Sequence, residues 1–474
     1  MTCKVANLLK KHHQEHLLKF WSELNEKSRA QLNSQLEALP WENLDELISQ
    51  YVTNLPEIAI PKDLEPAPFF PAIPTDAKMA ALYEKASAEG VKLLHSGKVS
   101  LLTVAGGQGT RLGYDGPKGT YPITPIKEKT LFQYFSESIR RFGEKYNTKF
   151  TWYIMTSELN HQATVDFFKD NNYFGLDEQQ IVFFSQGTMP AFDNGGRLLL
   201  SAKDSLALSP DGHGGTLLAL KRCGCLKRMA QEGVEYLSYF QVDNPLVSIV
   251  NPLFIGLHAL EKSEMSSIML AKTGPFEKLG NFCVSDGRLQ IIEYSDLPDE
   301  LADSRDAKGA LRFIAGSPAI HILNRNFIEN LTSGHQFSLP WHRADKKIPF
   351  INDIGELVTP KQPNGVKLES FIFDALPLAS HTMVLEAIRE EEFAPTKNKT
   401  GVDSVESCRK MLIERDAQRL ERAGVKIARD AKGAPQYPVE LSPAIIVDDE
   451  DAVQYCAKHK ITDLTEHRQP IYLG

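Results

Sequence analysis

Short, wholly apolar runs alternate with amphipathic stretches along this chain. Val99, Leu101, Leu102 and Val104 predict a buried strand that stops at a glycine-rich segment. Further strands are predicted over 149–155 (KFTWYIM), 180–184 and 236–242 (YLSYFQV). Helices are expected between them. One runs from 77 to 96. A second carries Leu131, Phe135, Ile139 and Phe142 on one face, with Thr130 and Gln133 suited to a capping box. A third continues through 164–168. Strands alternating with helices predict a mostly parallel α/β sheet. Ligands of such sheets collect beyond the carboxyl ends of the strands. Gly106 and Gly107, Gln186 and Asp243 each lie just after a predicted strand.

The flanking segments read differently. Residues 1–55 look helical, with His16, Leu17, Phe20, Trp21 and Leu24 on one face, a second helix over 30–39 and a third from near Trp41. They predict an arm packed on the main domain. Proline-rich 56–74 predicts an extended, ordered linker. Asp286-Gly287 is a hairpin signal between two strands, and 314–322 reads as a strand around Gly316. Residues 347–374 predict a wall with a turn at Pro363-Asn364-Gly365, then Lys367, then Phe371 and Phe373 alternating on a strand. A helix over 405–424 and a proline-punctuated tail suggest a terminal domain. The expected division is an N-terminal helical arm and linker (1–76), a central domain (77–384) and a small C-terminal domain (385–474).

Composition narrows the partners. The chain has 474 residues and a net charge of −8, which argues against non-specific nucleic-acid binding, since that wants a basic face. No apolar run approaches the roughly 18 residues of a membrane span. Lys10, Lys11, His12 and His13 break any secretory signal. Six cysteines do not make a disulfide framework, and Cys223 and Cys225 are expected as reduced thiols within a helix. The expectation is a cytoplasmic protein with neither nucleic acid nor membrane as partner.

The chemistry is concentrated in 101–119, LLTVAGGQGTRLGYDGPKG. Glycines let the backbone turn and present bare N–H groups to an anion, and Arg111 and Lys118 add fixed positive charge. Two common phosphate loops do not fit. A G-x-G-x-x-G fingerprint counted from Gly107 would need glycine at Leu112, and a G-x-x-x-x-G-K-[ST] loop would need Ser or Thr where Gly119 stands. Asp243, ending an apolar strand, suits Mg²⁺, which binds through one or two carboxylates plus phosphates. It also suits the cap of a following helix.

The pattern strand, A-G-G-x-G-T-R-L-G, then P-K-G resembles the signature of UTP-dependent nucleotide-sugar pyrophosphorylases. Similarity to the eukaryote-type UDP-N-acetylglucosamine pyrophosphorylases extends through Q-E-H-L-L-K-F-W, W-Y-I-M-T-S, D-x-x-Y-F-G-L (170–176), K-K-I-P-F-I and F-A-P-T-K-N. This implies a Rossmann-like mixed central sheet of the nucleotidyltransferase (GT-A-like) type. It implies transfer of UMP from UTP to a hexose 1-phosphate, with Mg²⁺ as cofactor. Arg111 and Lys118 would be catalytic. Val104, Ala105, Gly106, Gly107, Lys118, Gln186, Gly212, Asp243 and Lys367 would contact UTP, with the amides of Gly106, Gly107 and Gly109 on phosphate oxygens and Asp243 on the metal. His213, Glu293, Gly316, Phe371 and Phe373 would face the sugar. Lys397 matches a family lysine in a mobile-looking segment and would reach the phosphates on closure. The N-acetylglucosamine branch usually has Asn at His213 and A-G-N where Ala315-Gly316-Ser317 stands, and G-H-G is more typical of UDP-glucose pyrophosphorylases. N-acetylglucosamine 1-phosphate is the favoured acceptor. Glucose 1-phosphate, or a non-catalytic UDP-sugar-binding protein, are the alternatives.

Overall fold

A computed structural model describes residues 3–54, 60–334, 337 and 339–474. The chain divides into two compact units. One comprises Met1–Ile60, Gln186–Ala219 and Ser338–Asp374; the other comprises Pro61–Ser185, Leu220–Phe337 and Ala375–Gly474.

The second, larger unit is built on an 11-stranded sheet. Its labelled strands are β1 (Val99–Val104), β2 (Trp152–Thr156), β3 (Ile181–Ser185), β4 (Tyr236–Gln241), β5 (Met265–Ala271), β6 (Gly280–Ser285), β7 (Arg288–Ile292), β8 (Ala315–Ser317), β9 (His321–Asn324) and β10 (Thr382–Glu386). The order is β6-β8-β5-β9-β4-β1-β2-β3, with β7 beside β6 and β10 beside β5. β4, β1, β2 and β3 are parallel, as the alternating pattern predicts. β9 then runs antiparallel to both β4 and β5, so the whole sheet is mixed. β1 and β2 are mostly apolar and buried along nearly their whole length, because both faces of the sheet are covered there.

The helices start where their caps permit. α1 (Ala77–His95) is capped by Asp76, which accepts from the Met79 amide at 2.8 Å. At α2 (Leu131–Lys145) the Thr130 hydroxyl accepts from the Gln133 amide, but the Gln133 side chain donates to Glu137 instead of closing the box. Leu131, Phe135, Ile139 and Phe142 are all buried. α3 (Pro252–Leu260) packs along α1, and Gly90 and Gly256 allow that approach: a Cβ on either would strike the other helix's backbone. Asp286 and Gly287 both have positive φ (47° and 70°), the geometry of a type I′ turn, and they join β6 to β7 as expected. The strand expected over 314–322 is two, β8 and β9, broken at Ala319 (φ 57°). Residues 60–74 contain no helix. Phe70 exchanges two hydrogen bonds with the β10 backbone. Residues 56–59 of the predicted linker lie outside the described residues. The C-terminal part contributes α4 (Val405–Arg422), a parallel strand pair and α5 (Asp449–His459).

The smaller unit is a three-stranded sheet of Phe192–Asp193, His342–Lys346 and Gly365–Glu369, with the N-terminal segments packed on it. Leu9, Leu17, Phe20, Leu32 and Leu36 share one core with Phe192, Leu198, Val366 and Leu368. The first predicted helix is interrupted. An α-helix over Cys3–Lys11 ends before His13 (φ 55°), and two short 3₁₀ turns follow. His16 spends its ring nitrogen on the Leu198 carbonyl at 2.8 Å.

One cysteine expectation fails. Cys223 and Cys225 are joined as a disulfide across the junction of helices Thr216–Arg222 and Cys225–Glu232. Gly224, at φ 78°, reverses the chain between them, so they do not lie along a single helix.

Candidate active site

In the larger unit, β1 runs into the glycine-rich loop. The carbonyls of Ala105, Gly106 and Gly107 are held on one side, where Ser157 and Asn160 donate to them. Asn160 Nδ2 donates to the Ala105 carbonyl at 2.9 Å, and Ser157 Oγ donates to the Gly106 carbonyl at 2.9 Å. The Gly107 carbonyl accepts from the Lys118 amide at 3.0 Å. No peptide bond among the described residues is cis, so each of these carbonyls sets the next N–H on the opposite side. The N–H groups of Gly106, Gly107 and Gln108 therefore face away from Ser157 and Asn160, and none has an acceptor among the described residues. Three such amides in a row make an anion-binding concavity. Gly109 differs from expectation: its N–H donates to the Gly116 carbonyl at 2.9 Å and closes the loop. Ser157 and Asn160 were not singled out in the sequence. The only signal was their position just beyond β2.

Lys118 opens a 3₁₀ turn, Lys118–Thr120, in which a Cβ on Gly119 would collide with the Phe132 ring. Its ammonium donates to Asp243 Oδ2 at 3.0 Å, and both side chains are about a tenth exposed (11% and 10%). Asp243 is two residues past β4 and caps no helix, since α3 is capped by Asn251. Its Oδ1 takes no hydrogen bond among the described residues, which leaves one carboxylate oxygen for a cation. No group of three or more His, Cys, Asp or Glu that could hold a metal occurs among the described residues. A cation at Asp243 would thus need substrate phosphates to complete its shell, the usual arrangement for Mg²⁺. Arg111 is exposed and makes no ion pair among the described residues.

A strap from the C-terminal part fixes the Asp243 loop. Thr396 donates to the Asp243 carbonyl through its amide (2.8 Å) and hydroxyl (3.1 Å). Asn244 exchanges hydrogen bonds with the Glu392 carbonyl and the Ala394 amide. Glu392 accepts from the Ser248 amide at 2.9 Å, and burial pushes its carboxyl up to about 7. Lys397 comes next, its ammonium 3.6 Å from Asp403.

At the other end of the sheet, Gly316 on β8 pairs with Leu270 and Asn281 on either side. A Cβ there would lie 2.8 Å from Leu279 and 3.1 Å from Lys272. Glu293 follows β7, its carboxylate beside Gly280. Lys272 was missed in the sequence. It is buried, donates to Asn281 Oδ1 at 2.5 Å, and desolvation lowers its pKa.

The smaller unit holds the remaining candidates. Gln186 is buried. Gly212 (φ 85°) runs against the Ser370 backbone, where a Cβ would collide. The Ser370 amide donates to Asp211 and its carbonyl accepts from Gly214, both at 2.8 Å. These bonds end the strand at Glu369. Phe371 and Phe373 are therefore not alternating strand residues: the chain turns into a 3₁₀ helix, Ile372–Leu378, with their ring centroids 5.1 Å apart. His213 stacks on Phe371 at 5.2 Å, and its Nδ1 accepts from the Ile372 amide. Burial, then the nearby His342, lowers its pKa to about 4. His213 is thus a neutral imidazole with its proton on Nε2. His342, also missed, lies 4.3 Å from Phe371 and bonds Asp374 at 2.8 Å. Nothing local marks it, because its partner is distant in sequence. Lys367 is half-buried, and desolvation lowers its pKa.

The family model of UTP–glucose-1-phosphate uridylyltransferase matches residues 71–441. The chain belongs to this family. Within it, the chain is 36% identical over 463 residues to human UDP-N-acetylhexosamine pyrophosphorylase-like protein 1, covering 93% of this chain and 90% of the relative. It is 35% identical over 379 residues to the UDP-N-acetylglucosamine pyrophosphorylase of Saccharomyces cerevisiae, covering 78% of each. Among solved structures, the uridine diphosphate N-acetylglucosamine pyrophosphorylase of Trypanosoma brucei superposes with a TM-score of 0.83 at 25% identity, covering 99% of this chain and 97% of that one. A UDP-glucose pyrophosphorylase of Leishmania major matches with a TM-score of 0.60 at 17% identity, over 99% of this chain and 90% of that one, a likeness of fold. No helix among the described residues is long and apolar enough to cross a membrane.

Proposed function

We propose that this chain joins UTP and a hexose 1-phosphate, N-acetylglucosamine 1-phosphate in preference, to give a UDP-sugar and pyrophosphate. A sugar-phosphate oxygen forms the new bond to the α-phosphorus, the bond from that phosphorus to the bridging oxygen breaks, and pyrophosphate leaves. No protein nucleophile or base is needed, since the attacking oxygen is already ionised at neutral pH. The observation that carries this reading is the row of unpaired amides at 106–108 with the Lys118–Asp243 pair alongside, in a chain of this family. The amides and Lys118 would offset charge on the transferring phosphate, as preorganised donors do. Mg²⁺ fits Asp243, where it would neutralise phosphate charge. Gln186 and Gly212 are assigned to the uridine, and His213, Glu293, Gly316, Phe371 and Phe373 to the sugar. A neutral His213 acts there as a hydrogen-bond partner rather than a cation.

Glucose 1-phosphate is the second reading, favoured by His213 in G-H-G. Pyrophosphate release from UTP with a panel of sugar 1-phosphates decides between them. The largest kcat/KM is expected with N-acetylglucosamine 1-phosphate. A preference for glucose 1-phosphate would transfer the assignment, and no turnover with any acceptor would remove the enzymatic reading.

A further inference from the structure

Within the larger unit, a cavity of about 440 Å³ lies among α1, α2, the segment 246–253, α4 and the turn before α5. It contains no residue of the glycine-rich loop, and its size is that of a small-ligand pocket. Three cations line it, and they are unequally matched. Lys145 holds Asp448 at 2.5 Å and Glu450 at 2.6 Å. Arg415 donates to Asp416 and to the Tyr134 hydroxyl. Arg419 has only Asp449 within reach, at 3.9 Å, and Asp449 is already gripped by both arms of Arg422 at 2.6 and 2.9 Å. Arg419 therefore makes no hydrogen bond to protein among the described residues. Burial and the charge of Arg415 act against its protonated form. A mostly buried guanidinium with no hydrogen-bonded protein acceptor is left to face the cavity, and two oxygens of a phosphate dianion would engage both of its arms. The remaining wall is mixed: Phe135, Phe142 and Val247 are apolar, Ser87, Ser138 and Asn251 add polar groups, and the carboxylates of Asp448 and Glu450 are both held by Lys145.

We propose that this cavity is a second ligand site that takes a phosphomonoester with an apolar or aromatic body, its phosphate on Arg419 and its body against Phe135 and Val247. The site has a route to the chemistry. Its wall segment 246–253 continues from Asp243 and Asn244, and Ser248 in that segment is held by Glu392 on the strap that binds Asp243. An occupant would bias the setting of the Asp243 loop.

The test is binding rather than turnover, so it stands apart from the proposed reaction. Phenyl phosphate is titrated calorimetrically into the full chain saturated with UTP. One saturable site is expected, with inorganic phosphate alone at least about tenfold weaker because it lacks the body. Arg419→Gln should weaken phenyl phosphate by about tenfold or more. Ser87→Tyr, which fills the cavity from α1 and leaves every charge in place, should do the same and decides the matter if Arg419→Gln does not fold. Arg111→Ala should leave the affinity unchanged. Equal binding by Arg419→Gln or Ser87→Tyr, loss in Arg111→Ala, or no saturable site below about 10 mM would each overturn the assignment.

Discussion

Lys118→Met separates the two roles of this lysine, as counter-ion to Asp243 and as donor to phosphate. The Lys118–Asp243 pair spans 3.0 Å with each side chain about a tenth exposed. Removing one partner of a buried pair leaves the other unpaired and costs about 3–5 kcal/mol. The residual exposure here places the loss at the lower end, about 3 kcal/mol. Loss of one preorganised donor to the transferring phosphate lowers turnover by roughly 10²–10³-fold. The variant should therefore be both less stable and nearly inactive. Replacing the carboxylate too, in Lys118→Met/Asp243→Asn, removes the stranded charge. That double variant should regain stability to within about 1 kcal/mol of the wild type while turnover stays low. Urea unfolding supplies the stabilities and pyrophosphate release supplies the rates. A single variant as stable as the wild type, or a double variant that recovers turnover, would refute this reasoning.

Arg111→Ala should lower kcat with no change in the urea midpoint, because Arg111 is exposed and makes no ion pair among the described residues; a stability loss like that of Lys118→Met would contradict this. Glu392 has a folded pKa of about 7, raised from 4.5, so the folded state binds the extra proton between those values. Its stabilising share is full below about pH 4.5 and is lost as pH rises through 7. Glu392→Gln, which keeps an acceptor for Ser248, should thus raise stability at pH 8 relative to wild type by about 3 kcal/mol and have little effect at pH 4.5. An equal effect at both pH values would show that Glu392 is ionised throughout. Phe373→Ala should raise KM for the sugar phosphate more than KM for UTP, and an unchanged value would return that ring to a packing role.

The parts of the fold that were legible in the sequence are those governed by local pattern. β1 and β2 are short apolar runs, α2 repeats its apolar face at helical spacing, and Asp286-Gly287 dictates its own turn. The parts that were not legible depend on contacts distant in the chain. The predicted alternation of Phe371 and Phe373 is broken where the Ser370 amide donates to the Asp211 carbonyl and the Ser370 carbonyl accepts from the Gly214 amide. The Gly109 amide is lost to Gly116, although the glycine spacing alone offers it to phosphate. Asn160, Lys272, His342 and the Glu392–Thr396 strap act through partners from 9 to 153 residues away, so no local motif marks them. The pairing of Cys223 with Cys225 hinges on the positive φ of Gly224, a backbone choice that the C-x-C spacing leaves open.

A crystal structure of this chain with UTP and Mg²⁺ tests the central claim most directly. The triphosphate should lie with its oxygens on the N–H groups of Gly106 and Gly107 and on the Lys118 ammonium, with the metal on Asp243. A triphosphate seated elsewhere, with those amides facing only solvent, would contradict it.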